Sequence, residues 1–339
     1  MPTTRFVPGA TVWRPDSSQA GGVLAFVCPG QGSQSAGMFA PWLELPGVAE
    51  LLGALGEAAE LDLIAHGTTS DADTIRDTAV AQPLIVAAGL MVAAQLGPVP
   101  VTGAGLLAGH SVGEFTAAAL AGVLTGEQAI RLVAGRGRAM AAASALRPTG
   151  MSAVLGGDPV EVAARLAALE LVAANANGAG QVVAAGTLEQ LAELKQDPPL
   201  RAKVIPLAVA GAFHTAFMAP ARQALADLAA RIEPADPAVP LLSNADGEPV
   251  ADGAQALSRL VSQVSRPVRW DACQATMVRL GVDALIELTP AGTLTGLAKR
   301  TMPGVRLVPV KTPADLDAAR TLLADTTQPS GADPSGVPA

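Results

Sequence analysis

The 339-residue chain is poor in cysteine, histidine and charge, and each scarcity removes a class of function. Its two cysteines, Cys28 and Cys273, lie far apart and form no CxxC pair, so neither a disulfide framework nor a structural zinc site has a basis in the sequence, and no metal is expected. Only 22 Lys and Arg stand against 30 Asp and Glu, a net charge of −8, and the basic residues form no long run. Nucleic acid is therefore not an expected partner, because neutralising phosphates needs clustered Lys and Arg. The longest unbroken apolar run, 84–94, falls short of the roughly 20 residues that a bilayer requires. It reads as a buried helix, and no membrane association is expected. Residues 1–22 carry Arg5 and Arg14 but no apolar segment, so they read as a flexible extension and not as a secretory signal. The expected compartment is the cytoplasm.

Half of the residues are apolar, enough for a sizeable core. Apolar strand-like runs alternate with longer Ala- and Leu-rich helical patterns, the signature of a parallel sheet covered by helices. The first run, VLAFVC, ends in the Pro- and Gly-rich loop PGQGSQ. From 149 to 208 the rhythm changes to strand, helix, two strands around a turn, helix, strand. That βαββαβ order is ferredoxin-like. The expected fold is thus an α/β-hydrolase-like large domain, discontinuous over 23–148 and 209–325, with a ferredoxin-like small domain inserted at 149–208. The last stretch, 326–339, mixes Pro, Ser, Gly and Ala without periodicity and reads as a flexible tail.

The segment GLLAGHSVGEFTAAALAG puts Ser111 in a GxSxG frame between a short apolar strand and an Ala-rich helix, as a nucleophile elbow requires. Gly109 and Gly113 remove side chains that would crowd so sharp a turn. The helix N-terminus behind Ser111 offers backbone N–H groups, notably that of Val112, to an oxyanion. An ordinary strand-to-helix turn would read the same way locally.

Three histidines could serve as a base. His110 adjoins Ser111 and should point away from it, and His66 falls in a Gly/Thr loop. His214, in GAFHTAFMAP, stands just ahead of a helical pattern whose positive end would lower its pKa and keep it neutral. A neutral imidazole can take the Ser111 proton and return it to a leaving thiol. A structural histidine remains the alternative.

A helix begins near Thr125, which with Gln128 fits a capping box. At about 3.6 residues per turn, Ala129, Leu132, Val133, Arg136, Ala139 and Met140 share one face, and Glu127, Arg131 and Arg138 lie opposite. Arg136 is thus a guanidinium on an apolar stripe, with no carboxylate one turn away. Three readings fit: snorkelling, pairing with an acid remote in sequence, or a two-pronged grip on a substrate carboxylate. The loop PGQGSQSAG lacks the lysine of a phosphate-binding loop and does not fit GxGxxG. Its Gln31 could offer a second backbone N–H to an oxyanion.

Taken in order, PGQGSQ, TAVAQP, GHSVGE, GRGRAM, GAFHT, VSQVSRPVRW and ELTPAGTLTGLAKR resemble the malonyl-CoA:acyl-carrier-protein transacylase family over about 23–325. The resemblance implies transfer of malonyl from coenzyme A to the phosphopantetheine thiol of an acyl carrier protein, with Ser111 as nucleophile and His214 as base. It also implies that Arg136 grips the malonyl carboxylate and that the N–H groups of Gln31 and Val112 form the oxyanion hole. Gln263 would orient His214 through its main-chain carbonyl; a carboxylate in that place would repel the substrate. In related polyketide synthase domains, malonyl selectivity goes with an aliphatic residue after the serine and Phe before the histidine, here Val112 and Phe213. Met140, one turn beyond Arg136, joins the substrate-contacting set. No cofactor is implied, and a monomer serving fatty-acid synthesis is the expectation. Three rivals are a serine thioesterase or esterase, a trans-acting polyketide acyltransferase, and a noncatalytic synthase subunit. The esterase would have no need of Arg136.

Overall fold

A computed structural model describes residues 22–97 and 105–327 of the chain. The expected extension and tail fall, apart from Gly22 and Thr326–Thr327, outside the described residues. Strand β1 (Val23–Cys28) shows why its sequence is an unbroken apolar run. Leu24, Phe26 and Cys28 enter one core cluster while Ala25 and Val27 enter another, so the period-2 alternation of a strand delivers apolar side chains to two buried faces.

Helices α1 (Val48–Ala59), α2 (Leu63–Thr68) and α3 (Thr78–Leu96) follow, then β2 (Leu106–Gly109), α4 (Gly113–Leu120) and α5 (Gly126–Ala145). The middle of the chain forms β3 (Thr149–Gly156), α6 (Pro159–Ala168), β4 (Val172–Gly178), β5 (Gln181–Thr187), α7 (Leu188–Gln196) and β6 (Ala202–Pro206). The chain continues through α8 (Ala219–Ala229), α9 (Gly253–Gln263), β7 (Val268–Arg269), α10 (Trp270–Arg279), β8 (Val282–Glu287), α11 (Thr293–Thr301), β9 (Arg306–Pro309) and α12 (Leu316–Thr327).

The larger unit is a parallel sheet in the order β2-β1-β8-β9, covered on both faces by helices. The apolar run at 84–94 lies within α3, which is long and apolar enough to match a bilayer span by composition and is mostly buried inside the protein. The mid-chain strands form an antiparallel sheet in the ferredoxin-like order β6-β3-β5-β4, with Val162, Leu166, Leu191 and Leu194 of its two helices packed on one face. The fold is the expected α/β one with a ferredoxin-like insert. One feature escapes the sequence pattern: β7, only two residues long, pairs in parallel with β4 and joins the small sheet from outside the insert.

Candidate active site

The GxSxG segment becomes strand, turn and helix. Ser111 stands at the apex between β2 and α4 with φ +52°. A non-glycine residue holds such a conformation at a cost of about 1–3 kcal/mol, and only where its surroundings enforce it. Here Asn244 does so: its Oδ1 accepts the Ser111 N–H at 2.7 Å and its Nδ2 donates to the Gly109 carbonyl at 2.7 Å. A Cβ on Gly109 would sit 2.1 Å from the Gly113 carbonyl carbon, and one on Gly113 would sit 2.2 Å from the Cys28 carbonyl oxygen. Both positions need glycine because the turn is packed backbone to backbone.

His214 also has a positive φ, 61°. Its Nε2 lies 2.8 Å from Ser111 Oγ, and its Nδ1 lies 2.8 Å from the main-chain carbonyl of Gln263, the last residue of α9. A carbonyl oxygen only accepts, so Nδ1 carries the proton and Nε2 is free to accept from the serine hydroxyl. Burial, and after it the Arg136 charge, push His214 down to about 3. The imidazole is neutral as expected, but burial and a neighbouring cation are the causes, where a helix end was expected. His110 turns away from Ser111, with Nε2 2.9 Å from Asn177 Oδ1 and its ring edge-on to Trp270. His66 lies in α2 and not in a loop, because Asp62 caps that helix; its Nδ1 is 3.0 Å from Ser70 Oγ. Burial pushes both cysteine thiols up, away from thiolate chemistry.

The capping box at Thr125 and Gln128 forms and starts α5, whose buried face carries Arg136 inward. Arg136 is 1% exposed, which excludes snorkelling. Its Nη1 donates to Gln82 Oε1 of α3 at 2.6 Å and its Nη2 to Gln263 Oε1 at 2.8 Å. The same Nη2 is 3.4 Å from Ser111 Oγ. Its Nε is buried without a protein acceptor among the described residues. Among the described residues no carboxylate touches the guanidinium directly. Glu114, in the first turn of α4, stands one amide away: its Oε1 accepts the Asn244 N–H at 2.7 Å and its Oε2 accepts from Gln263 Nε2. Burial pushes Glu114 up to about 7 and Arg136 down to about 10. The expectation that carboxylates are kept from this site thus holds for contact with His214, whose acceptor is neutral, and not for the layer behind it.

These residues open onto a cleft of about 460 Å³ between the two sheets, whose walls include Gln31, Ser111, Arg136, Met140, Phe213 and His214. Met140 Sδ accepts from Gln82 Nε2 at 3.4 Å. Val112 is not in the wall: its side chain lies wholly in the core, away from the substrate contact expected of it. The Gln31 side chain is taken by Thr78 Oγ1 at 3.1 Å. The backbone N–H groups of Gln31 and Val112 have no protein acceptor among the described residues.

Three site residues escaped the sequence reading. Glu114 passes for an ordinary acidic residue at a helix start, and Asn244 for a turn former. Gln82 carried a usable signal, a polar side chain just ahead of the longest apolar run.

The acyl transferase domain family matches residues 25–329. The malonyl CoA-acyl carrier protein transacylase of Mycobacterium tuberculosis is 54% identical over 297 residues, 87% of this chain and 98% of the relative. The crystal structure of MCAT from Mycobacterium tuberculosis superposes with a TM-score of 0.85 at 54% identity, covering 88% of this chain and 99% of that one. A malonyl-transacylase solved in complex with its type II polyketide synthase acyl-carrier protein gives a TM-score of 0.82 at 30% identity, with 88% and 99% coverage.

Proposed function

The chain belongs to the malonyl-CoA:acyl-carrier-protein transacylase family of acyl transferases, and from that membership we propose how its residues divide the work. The enzyme transfers malonyl from coenzyme A to the phosphopantetheine thiol of an acyl carrier protein. One observation carries the assignment of roles: a Ser–His pair at 2.8 Å shares its hydroxyl with a buried guanidinium 3.4 Å away.

Ser111 Oγ attacks the thioester carbonyl of malonyl-CoA while His214 Nε2 takes the hydroxyl proton. The negative charge on the carbonyl oxygen is met by the N–H groups of Gln31 and Val112; losing one such donor would cost roughly 3–4 kcal/mol in the barrier. The C–S bond then breaks, His214 returns its proton to the departing thiol, and malonyl remains as an ester on Ser111. The carrier thiol reverses these steps: it gives its proton to His214, its sulfur bonds the carbonyl carbon, the ester C–O bond breaks, and Ser111 recovers the proton. Arg136, in the cleft wall beside Ser111, grips the free malonyl carboxylate. Gln263 holds the proton on the far side of His214, and Met140 and Phe213 supply apolar wall beside the acyl chain.

We take 23–148 with 209–325 as the catalytic domain and 149–208 as the small domain. A monomer in the cytoplasm serving fatty-acid synthesis belongs to the same proposal and follows the family resemblance. A hydrolase gives no reason to bury Arg136 beside the nucleophile.

Intact mass under denaturing conditions tests the reading, on wild type and Ser111→Ala mixed with malonyl-CoA and then with pantetheinylated carriers of fatty-acid and polyketide type. One malonyl adduct, absent in the variant and passed on to the fatty-acid carrier, is expected. Passage only to the polyketide carrier would move the pathway. An adduct lost only to water would favour a hydrolase, and no adduct a noncatalytic subunit.

A further inference from the structure

Glu114 is absent from the cleft wall, yet it touches the residue that organises the site. Gln263 Nε2 donates to Glu114 Oε2 and to the Ser111 carbonyl, the latter at 3.0 Å, so both amide protons are engaged on one side. That leaves Oε1 for Arg136 Nη2 at 2.8 Å. An amide turned the other way would set its NH₂ against guanidinium donors and its oxygen against a carboxylate. An acid at one end and a guanidinium at the other therefore permit a single orientation. The main-chain carbonyl of the same Gln263 receives His214 Nδ1–H at 2.8 Å.

From this geometry we infer that Glu114 is a positioning residue for acyl transfer: acting through the Gln263 side chain, it sets Arg136 beside the acyl site, while the main chain of the same residue holds His214. A carboxylate suits the place better than an amide would. Both of its oxygens face N–H donors, Asn244 N and Gln263 Nε2, and an ionised carboxylate accepts on both. When Glu114 is ionised, opposite charges at the two ends of the amide also polarise it and strengthen both of its hydrogen bonds. The Asn244 that Glu114 holds is the residue that braces the Ser111 N–H, so the same carboxylate supports the nucleophile turn.

The inference rests on the roles proposed for Arg136 and His214, and two experiments test it. In the wild-type enzyme, ¹⁵N NMR of the Gln263 side-chain amide, identified by its absence in Gln263→Glu, should show protons protected from solvent exchange. Exchange at the rate of a free amide overturns the proposal without reliance on any variant's folding. The second experiment is a double-mutant cycle on malonyl-enzyme formation and on the malonyl/acetyl preference. Glu114→Gln and Gln263→Glu should each slow malonyl-enzyme formation by roughly tenfold or more and narrow the preference. Combined, they exchange donor and acceptor and should regain roughly tenfold over the product of the two losses. Additive losses with an unchanged preference, in a background where the wild type forms malonyl-enzyme, overturn this role alone. A wild type that forms no malonyl-enzyme overturns both readings.

Discussion

His214 Nδ1–H is held at 2.8 Å by an oxygen that no side-chain substitution removes, the main-chain carbonyl of Gln263. The Gln263 side chain meanwhile serves Arg136 and not the imidazole. Gln263→Ala should therefore leave the His214 tautomer intact while loosening Arg136, so malonyl transfer falls further than acetyl transfer. Competing acyl-CoA kinetics measure the two rates; equal losses would contradict the division.

Arg136→Ala removes a buried, hydrogen-bonded charge facing the substrate carboxylate, a change that costs about 2–5 kcal/mol in comparable charge pairs. Malonyl transfer should drop accordingly and the preference over acetyl should narrow. Arg136→Lys should recover little, because a single ammonium cannot reach Gln82 and Gln263 on two sides and still meet a carboxylate in parallel. An unchanged malonyl/acetyl ratio in folded Arg136→Ala would remove Arg136 from substrate recognition.

Two buried groups make stability depend on pH with opposite signs. His214 drops from 6.5 to about 3 on folding, so the unfolded chain binds a proton that the folded one refuses, and stability falls as pH drops from 6.5 towards 3. Glu114 rises from 4.5 to about 7, so the folded chain keeps a proton that the unfolded one releases. Its contribution grows as pH falls from about 7 to 4.5. The two offset each other between 4.5 and 6.5, and below 4.5 the histidine loss stands alone. His214→Asn should flatten the fall in Tm below pH 4.5; a fall as steep as in the wild type would assign acid sensitivity elsewhere.

Thr125→Ala breaks the capping box that starts α5 and should cost about 1 kcal/mol of stability. Because Arg136 lies three turns further on and is pinned by Gln82 and Gln263, the malonyl/acetyl ratio should stay at its wild-type value. Thermal denaturation and acyl-CoA competition read the two effects separately. A changed ratio would mean that the cap, and not the side-chain network, fixes the position of Arg136.

Local pattern alone determined much of this protein. Alternation with both faces apolar specified β1, the order of short elements specified the ferredoxin-like insert, and the glycines around Ser111 specified the elbow. The capping box at Thr125 marked the start of α5, and the apolar stripe along that helix gave the inward direction of Arg136. Each is a short-range consequence of periodicity, sterics or capping, and neighbouring residues suffice to read it. What Arg136 meets was decided by tertiary packing. Gln82 is 54 positions away, Gln263 is 127 away, and Glu114 reaches the network through Gln263, 149 positions on. Each has an unremarkable local reading as a helix or turn residue. Only the packing of α3, α4, α5 and α9 around one serine turns them into a single network, because a buried hydrogen bond depends on where two side chains meet in space and not on what precedes them in the chain.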